Sequence, residues 1–340
     1  MFEPVIDEIT ATPGRAASDE IALPAGGNAT AKIVAENYVP LSAGSLASFS
    51  SSPPVLLFVD GGNAPVFDAP EARVEYVRLH AVAYAGAAKK TFSEGVEGFV
   101  LVKNDLVDGK PVIVAKGHGG LAFSLLLRPD DEELTLGNER VPLERAANLA
   151  RFALECEYAA AFAKESSCNV VVRDGPLLGR NRHEQVALEK LRDELASRRI
   201  VLAGLAKTSG LLTADGRGAG QAVLQRGPSS PWLYPLGVDS KIFLSLVKLH
   251  EKSSYAFRLD VDGDERLARD VAAQLLPLSA DPVFFGYPYP LVEADRLARV
   301  SNRDVELLSM RFRADAGARW KDLERLSRGN DAHGVLDRIG

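Results

Sequence analysis

Two short apolar runs in this sequence each close on an aspartate followed by glycine. Val55-Leu56-Leu57-Phe58-Val59 leads into Asp60-Gly61-Gly62, and Asn169-Val170-Val171-Val172-Arg173 leads into Asp174-Gly175. An acid at the C-terminal edge of a sheet strand sits where open α/β sheets bind ligands. Two such acids on neighbouring strands repel one another unless a cation lies between them. Hard cations such as Mg²⁺ and Mn²⁺ take oxygen ligands, so the pair points to divalent-metal chemistry. A third acid is available on the stretch feeding the second run, where Glu155 and Glu157 both qualify. They lie about 200° apart around a helix, so only one can face a sheet. The apolar stripe through Ala147, Ala150, Leu154 and Ala161 does not choose between them. A single Asp-Gly is a turn signal and nothing more; two of them, with an acid between, make a candidate cation site.

The elements that must position these groups follow from periodicity. Each apolar run has the length of a buried strand. Ala72–Tyr84 reads as a second strand, and Gly98–Lys103 and Pro111–Lys116 flank Asp108-Gly109, a hairpin signal. From Pro142 the period becomes helical, predicting a long helix over Pro142–Glu165 with proline at its start. A polar helix is expected over His183–Arg198 and a strand over Ile200–Leu205. Residues 210–235, rich in Gly and Pro, read as loop; Tyr255–Val261 and Val283-Phe284-Phe285 read as strands. Helices are expected at Asp264–Leu276, Pro290–Val300 and Arg303–Phe312. Residues 1–54 read as a loose arm and linker, Ala-, Gly- and Pro-rich and then Ser-rich, ahead of a single domain over 55–340. Strands first, then alternating helix and strand, predict a mixed α/β sheet with helices packed on it.

Composition narrows the class. No run is long enough in apolar residues to cross a bilayer, and MFEPVIDEIT has no export pattern. Two cysteines, Cys156 and Cys168, exclude a disulfide scaffold and fit a reducing cytoplasm. A net charge of -6 argues against a chain coated in positive charge for unaided DNA binding. It does not argue against a metal-dependent nuclease, whose carboxylates add to the negative count.

Five segments, in order, resemble the NurA nuclease family: FVDGG at 58–62, RDGPLL at 173–178, LAKTS at 205–209, GYPYPLVEADRLA at 286–298 and DAH at 331–333. The resemblance implies a ribonuclease-H-like α/β fold with a C-terminal helical extension. It implies that Asp60, Glu155 and Asp174 are catalytic metal ligands, choosing Glu155 over Glu157, with His333 as a further ligand. Lys207 and Tyr287 match the family's site lysine and tyrosine. The metal implied is Mn²⁺, or Mg²⁺, as a pair of ions. At Asp295 the chain departs from the histidine common in that family; the position either adds an anionic group near the metal or matters little.

The same resemblance implies a cytoplasmic homodimer acting on single- and double-stranded DNA, 5′ to 3′ on ends and endonucleolytically on single strands. It further implies a HerA-like hexameric ATPase partner in end resection and recombinational repair. Basic residues near the second aspartate, Arg173, Arg180 and Arg182, are candidate phosphate contacts. Trp232, with Tyr234, is a candidate for stacking on bases, core packing being the equal alternative. Two other classes fit the Asp-Gly-Gly element. One is an actin- or sugar-kinase-type phosphotransferase or ATPase, for which Gly216 to Gly220 is the one dense glycine cluster. The other is a non-catalytic DNA-binding subunit.

Overall fold

The computed structural model describes residues 2–11, 20–22, 30–43, 49, 53–90, 95–128, 131, 134–136, 139–140, 143–207 and 210–327. After a helix (Glu3–Ala11) and three short strands in the arm, the main antiparallel strands are β1 (Val55–Asp68), β2 (Ala72–Ala85), β3 (Gly95–Val107), β4 (Lys110–Gly119) and β5 (Ser124–Leu127), with a short strand, Ala88–Lys90, paired to β2. The hairpin from β3 to β4 turns on Asp108 and Gly109, both at positive φ, as that dipeptide requires. Then follow α1 (Leu143–Ser166), β6 (Val170–Asp174), α2 (Arg182–Ser197) and β7 (Val201–Ala206). The second half contains α3 (Ala219–Arg226), β8 (Trp232–Asp239), β9 (Ile242–Lys248), β10 (Phe257–Asp262) and α4 (Glu265–Leu275). It ends on α5 (Tyr289–Ala298), α6 (Asn302–Ala316) and α7 (Trp320–Ser327).

One mixed sheet runs β8-β9-β10-β7-β6-β1-β2-β3-β4-β5. β6 pairs in parallel with both β1 and β7, and the other neighbours are antiparallel. The order β3-β2-β1-β6-β7, with α1 crossing between β3's side and β6, is the ribonuclease-H-like arrangement. Parallel strands must be covered on both faces, and the alternation along β1 shows how. Leu57 and Val59 pack on α1 through Cys156, Ala159 and Phe162. Leu56 and Phe58 pack on the opposite layer, against Leu291 and Ala294 of α5 and Val271 of α4. Even-numbered positions of β1 therefore face α5 and odd ones face α1.

Several expectations are corrected. β1 does not end at Asp60-Gly61-Gly62 but continues to Asp68, paired with β2. The glycines serve close approach rather than a turn. A Cβ on Gly62 would lie 2.4 Å from the Ala298 carbonyl oxygen at the end of α5, and one on Gly61 would lie 2.7 Å from Leu79 Cδ2 on β2 and 3.2 Å from Glu155 Oε2. Gly62→Ala is expected to push α5 off the sheet and cost about 1–3 kcal/mol. Urea unfolding measures this, and an unchanged midpoint would contradict the close contact.

Residues 210–235 are not continuous loop, since they hold α3 and the start of β8. Val283-Phe284-Phe285 is a turn, not a strand. The arm is not loose throughout: Ile21 is buried in the α1-side core, and Val39–Pro40 pairs with the edge of β8. Among the described residues, no helix is long and apolar enough to cross a membrane.

Candidate metal centre

The strand register assembles the site. The last parallel pair between β6 and β1 is Arg173 with Val59. One residue further on lie Asp174 and Asp60, side by side, both facing α5. On α5, Leu291 and Ala298 are buried at helical spacing, and Asp295, four residues after Leu291, flanks that stripe. It is thereby carried onto the two strand acids. Asp60, Asp174 and Asp295 each offer a carboxylate oxygen within 4.8 Å of the others. β7, on the other side of β6, delivers Lys207 from its end. Its Nζ is 2.6 Å from Asp174 Oδ2 and 3.4 Å from Asp295 Oδ1. Tyr287 donates its hydroxyl to Asp174 Oδ1 at 3.3 Å, and Lys207 lies 5.6 Å from its ring centroid.

Glu155 enters from the opposite layer. It is buried, whereas Glu157 is exposed and turned away from the sheet. Its Oε1 accepts from Arg173 at 2.8 Å and its Oε2 from Arg151 at 2.7 Å. Arg151 also donates to the Gly61 carbonyl at 3.0 Å. The tight acidic group is thus completed by Asp295 rather than by Glu155, which adjoins it with both oxygens held by guanidinium groups. Its helical spacing was the signal for Asp295: an acid on the edge of an apolar stripe.

Among the described residues Asp60 has no ion-pair partner, and its one hydrogen bond comes from the Gly61 amide at 2.8 Å. Burial pushes its carboxyl up to about 7, and the nearby Glu155 and Asp174 charges add to the shift. Burial also raises the Tyr287 hydroxyl, aided by Asp174, so it stays a donor. For Lys207 partial burial acts downward, but its bond to Asp174 and the charges of Asp174 and Asp295 outweigh it and hold the ammonium above its usual range. A half-buried carboxylate with no ion pair among the described residues, in an all-oxygen donor set, fits a hard divalent cation. The acids line a cleft of about 460 Å³ with Asn63, Asn148, Phe152 and Arg180 at its walls.

The other expected residues divide. Arg180 is exposed at the rim of this cleft. Arg182 is exposed but lines a separate groove of about 890 Å³ between α1, α2 and β5. Arg173 is not a phosphate contact: it is buried, tied to Glu155, donating to the Pro176 carbonyl at 3.1 Å and stacked on Phe152. Trp232 and Tyr234 do not reach solvent. Both point from β8 into the α1-side core, where Tyr38 meets their rings edge-on at 5.2 and 4.9 Å. The prolines around them suggested a loop, but Pro231 precedes the strand and Pro235 sits at a bulge. His333 lies outside the described residues.

No family model and no curated protein matches the chain. Among solved structures, the NurA nuclease from Sulfolobus solfataricus matches over 93% of this chain and 94% of its own, with 15% identity and a TM-score of 0.53. The catalytic domain of human endonuclease V matches over 83% of this chain and 92% of its own, with 14% identity and a TM-score of 0.39. The first of these likenesses shows that the chain has a NurA-like, ribonuclease-H-like fold.

Proposed function

We propose that this protein is a divalent-metal-dependent deoxyribonuclease whose centre is Asp60, Asp174 and Asp295, with Glu155 in support. The observation that carries the reading is the convergence of three carboxylates, from two strands and a helix, within 4.8 Å. Among the described residues, Asp60 is the one of the three that makes no ion pair. When bound, a pair of Mn²⁺ or Mg²⁺ ions supplies an activated water and offsets charge on the scissile phosphate. The chain's own groups do the positioning. Arg151 and Arg173 hold Glu155 in one orientation behind Gly61. Tyr287 fixes one oxygen of Asp174 while Lys207 bridges Asp174 to Asp295. Lys207 is partly exposed, so its ammonium can also meet negative charge building on a phosphate at the cleft mouth. Arg180 at the rim offers a fork for a neighbouring phosphate.

The finer reading extends the resemblance. It is 5′ to 3′ degradation of DNA ends and cleavage of single strands, by a homodimer working with a HerA-like ATPase in end resection and recombinational repair. His333 is a further metal ligand in that reading. The modest net charge supports a division of labour in which the motor supplies much of the grip on DNA.

End-labelled single- and double-stranded DNA, incubated with Mn²⁺, Mg²⁺ or chelator, tests the central claim. Metal-dependent cleavage is expected; a pure preparation that cuts neither substrate, with or without a HerA-type ATPase, would sink it. Asp295→Asn is expected to raise the Mn²⁺ concentration for half-maximal cleavage by about tenfold or more, because a ligand charge is lost. An unshifted metal titration would remove Asp295 from the shell.

A further inference from the structure

Next to the carboxylates the fold displays aromatic rings in water. Tyr287, which donates to Asp174, packs 5.2 Å from the Phe257 ring and 5.9 Å from that of Phe284. Phe284 in turn lies 5.5 Å from Tyr255. The series runs outward from core to solvent, since Tyr287 is buried while Phe284 is 37% and Tyr255 55% exposed. Beside them Val283 is 82% exposed. Phe285 is stacked on His250 at 4.7 Å, with the Lys252 ammonium 5.4 Å from its ring centroid.

These rings are presented by backbone that is locked in place. Gly286 has φ +92, and a Cβ there would lie 2.3 Å from Ser253 Oγ, so the two carrying loops touch at that point. Ser253 Oγ donates to the Tyr255 carbonyl and accepts from its amide, at 3.0 and 3.2 Å. Gly286 N–H donates to the Ser279 carbonyl at 2.8 Å, and Val283 N–H to Asp281 Oδ1 at 2.8 Å. Apolar area held rigidly in water gives up about 25 cal/mol for each Å² left unburied. Contiguous exposed apolar groups rimmed by polar residues are a signature of interaction sites.

We propose that this ledge, Tyr255 and Phe284 above all, is where unpaired bases of a nucleic-acid strand stack as its backbone enters the carboxylate centre. The proposal rests on the nuclease reading and adds to it the surface that holds a single strand, which that reading leaves unassigned. Three features select bases over other apolar ligands. The exposed groups are rings, which stack on any base irrespective of sequence. Cations stand beside the rings, Lys207 between the carboxylates and the Tyr287 ring and Lys252 over Phe285, where a polyanion's phosphates would run. The buried end of the series is bonded directly to Asp174.

The test is equilibrium binding, in chelator, of a fluorescent oligothymidylate of about 12 nucleotides. Wild type is compared with Tyr255→Ala, Tyr255→Leu and Tyr255→Phe, each checked for an unchanged melting curve. Tyr255→Ala and Tyr255→Leu are expected to weaken binding about 5- to 50-fold, and Tyr255→Phe to retain it. An oligonucleotide with abasic sites should bind wild type as weakly as the alanine variant and lose nothing further in that variant. In cleavage, KM should rise with kcat held.

Unchanged affinity in the alanine variant, or wild-type affinity in the leucine variant, overturns the proposal. So does an altered sedimentation profile with unaltered oligonucleotide affinity, which would make the ledge a contact with another protein chain. Because binding is measured without metal, a failure of cleavage by wild type counts against the nuclease reading alone. Cleavage with unchanged binding in the variants counts against the ledge alone.

Discussion

Asp60→Asn is expected to lower metal-dependent DNA cleavage by about 10³-fold while stabilising the metal-free protein at alkaline pH. The first effect follows from removing the one carboxylate of the three that makes no ion pair among the described residues; loss of several kcal/mol of transition-state stabilisation is about three powers of ten in rate. The second follows from where Asp60 titrates. In the unfolded chain it ionises near 3.8, and in the fold near 7. Between those values the folded protein holds a proton that the unfolded chain has released. Stability therefore falls as pH rises through that window, and the penalty is complete above pH 7. A shift of this size corresponds to on the order of 4 kcal/mol.

Asparagine is neutral at every pH, and its Oδ1 can still accept from the Gly61 amide, so the variant escapes the penalty. A divalent cation should stabilise the wild type instead, by about 2.7 kcal/mol at a hundred times its dissociation constant. It should do little for the variant. Thermal melts at pH 5 and pH 8, in chelator and in Mn²⁺, read both terms. Equal melting of the two proteins at pH 8 in chelator, or an equal Mn²⁺ shift in both, would contradict this account of the site.

The other large effect is on folding. Arg173→Ala is expected to destabilise the protein by about 3 kcal/mol, near the lower end of the 3–5 kcal/mol range for breaking a buried pair. Glu155 is almost wholly buried, and its Oε1 would lose its guanidinium. The lower end applies because Arg151 keeps the other oxygen. The substitution also removes the hydrogen bond to the Pro176 carbonyl and the contact with the Phe152 ring. Replacing both partners, Arg173→Met with Glu155→Leu, should restore most of the stability, because an apolar pair of similar volume avoids the desolvation cost. Cleavage should not return, since Glu155 no longer lies behind Gly61. Urea unfolding of the single and double variants measures this. A loss below about 1 kcal/mol for Arg173→Ala would place the pair in the range of a solvent-exposed salt bridge.

Local pattern determined a good deal. The continuous apolar runs before Asp60 and Asp174 predict buried strands, and those strands form the parallel centre of the sheet. The helical period from 143 onward, the Asp108-Gly109 turn and the strand before Lys207 also lie where the residues put them. These features are local because strand and helix periods, and the φ demands of a tight turn, are properties of a few consecutive residues. That is why two acids of the centre are legible in the sequence.

The rest depended on what packs against what. Asp-Gly-Gly reads locally as a turn, yet the strand runs straight through it. The glycines answer to Leu79 on the paired strand, to Glu155 and to the end of α5, the last two more than 90 and 230 residues away in the chain. Asp295 looks like a departure until α5 is docked on β1, when burial of Leu291 and Ala298 places it on the strand acids. Trp232 and Tyr234 look displayed because prolines surround them, but β8 turns them inward, while Tyr255 and Phe284 are left outside. Side-chain type is written in the chain; the face on which it lands is set by register and docking, which are non-local. Asp60 and Asp174 could be proposed from the sequence. That Asp295 completes their group, and that Arg151 and Arg173 hold Glu155 beside it, was decided only when the two layers closed on β1.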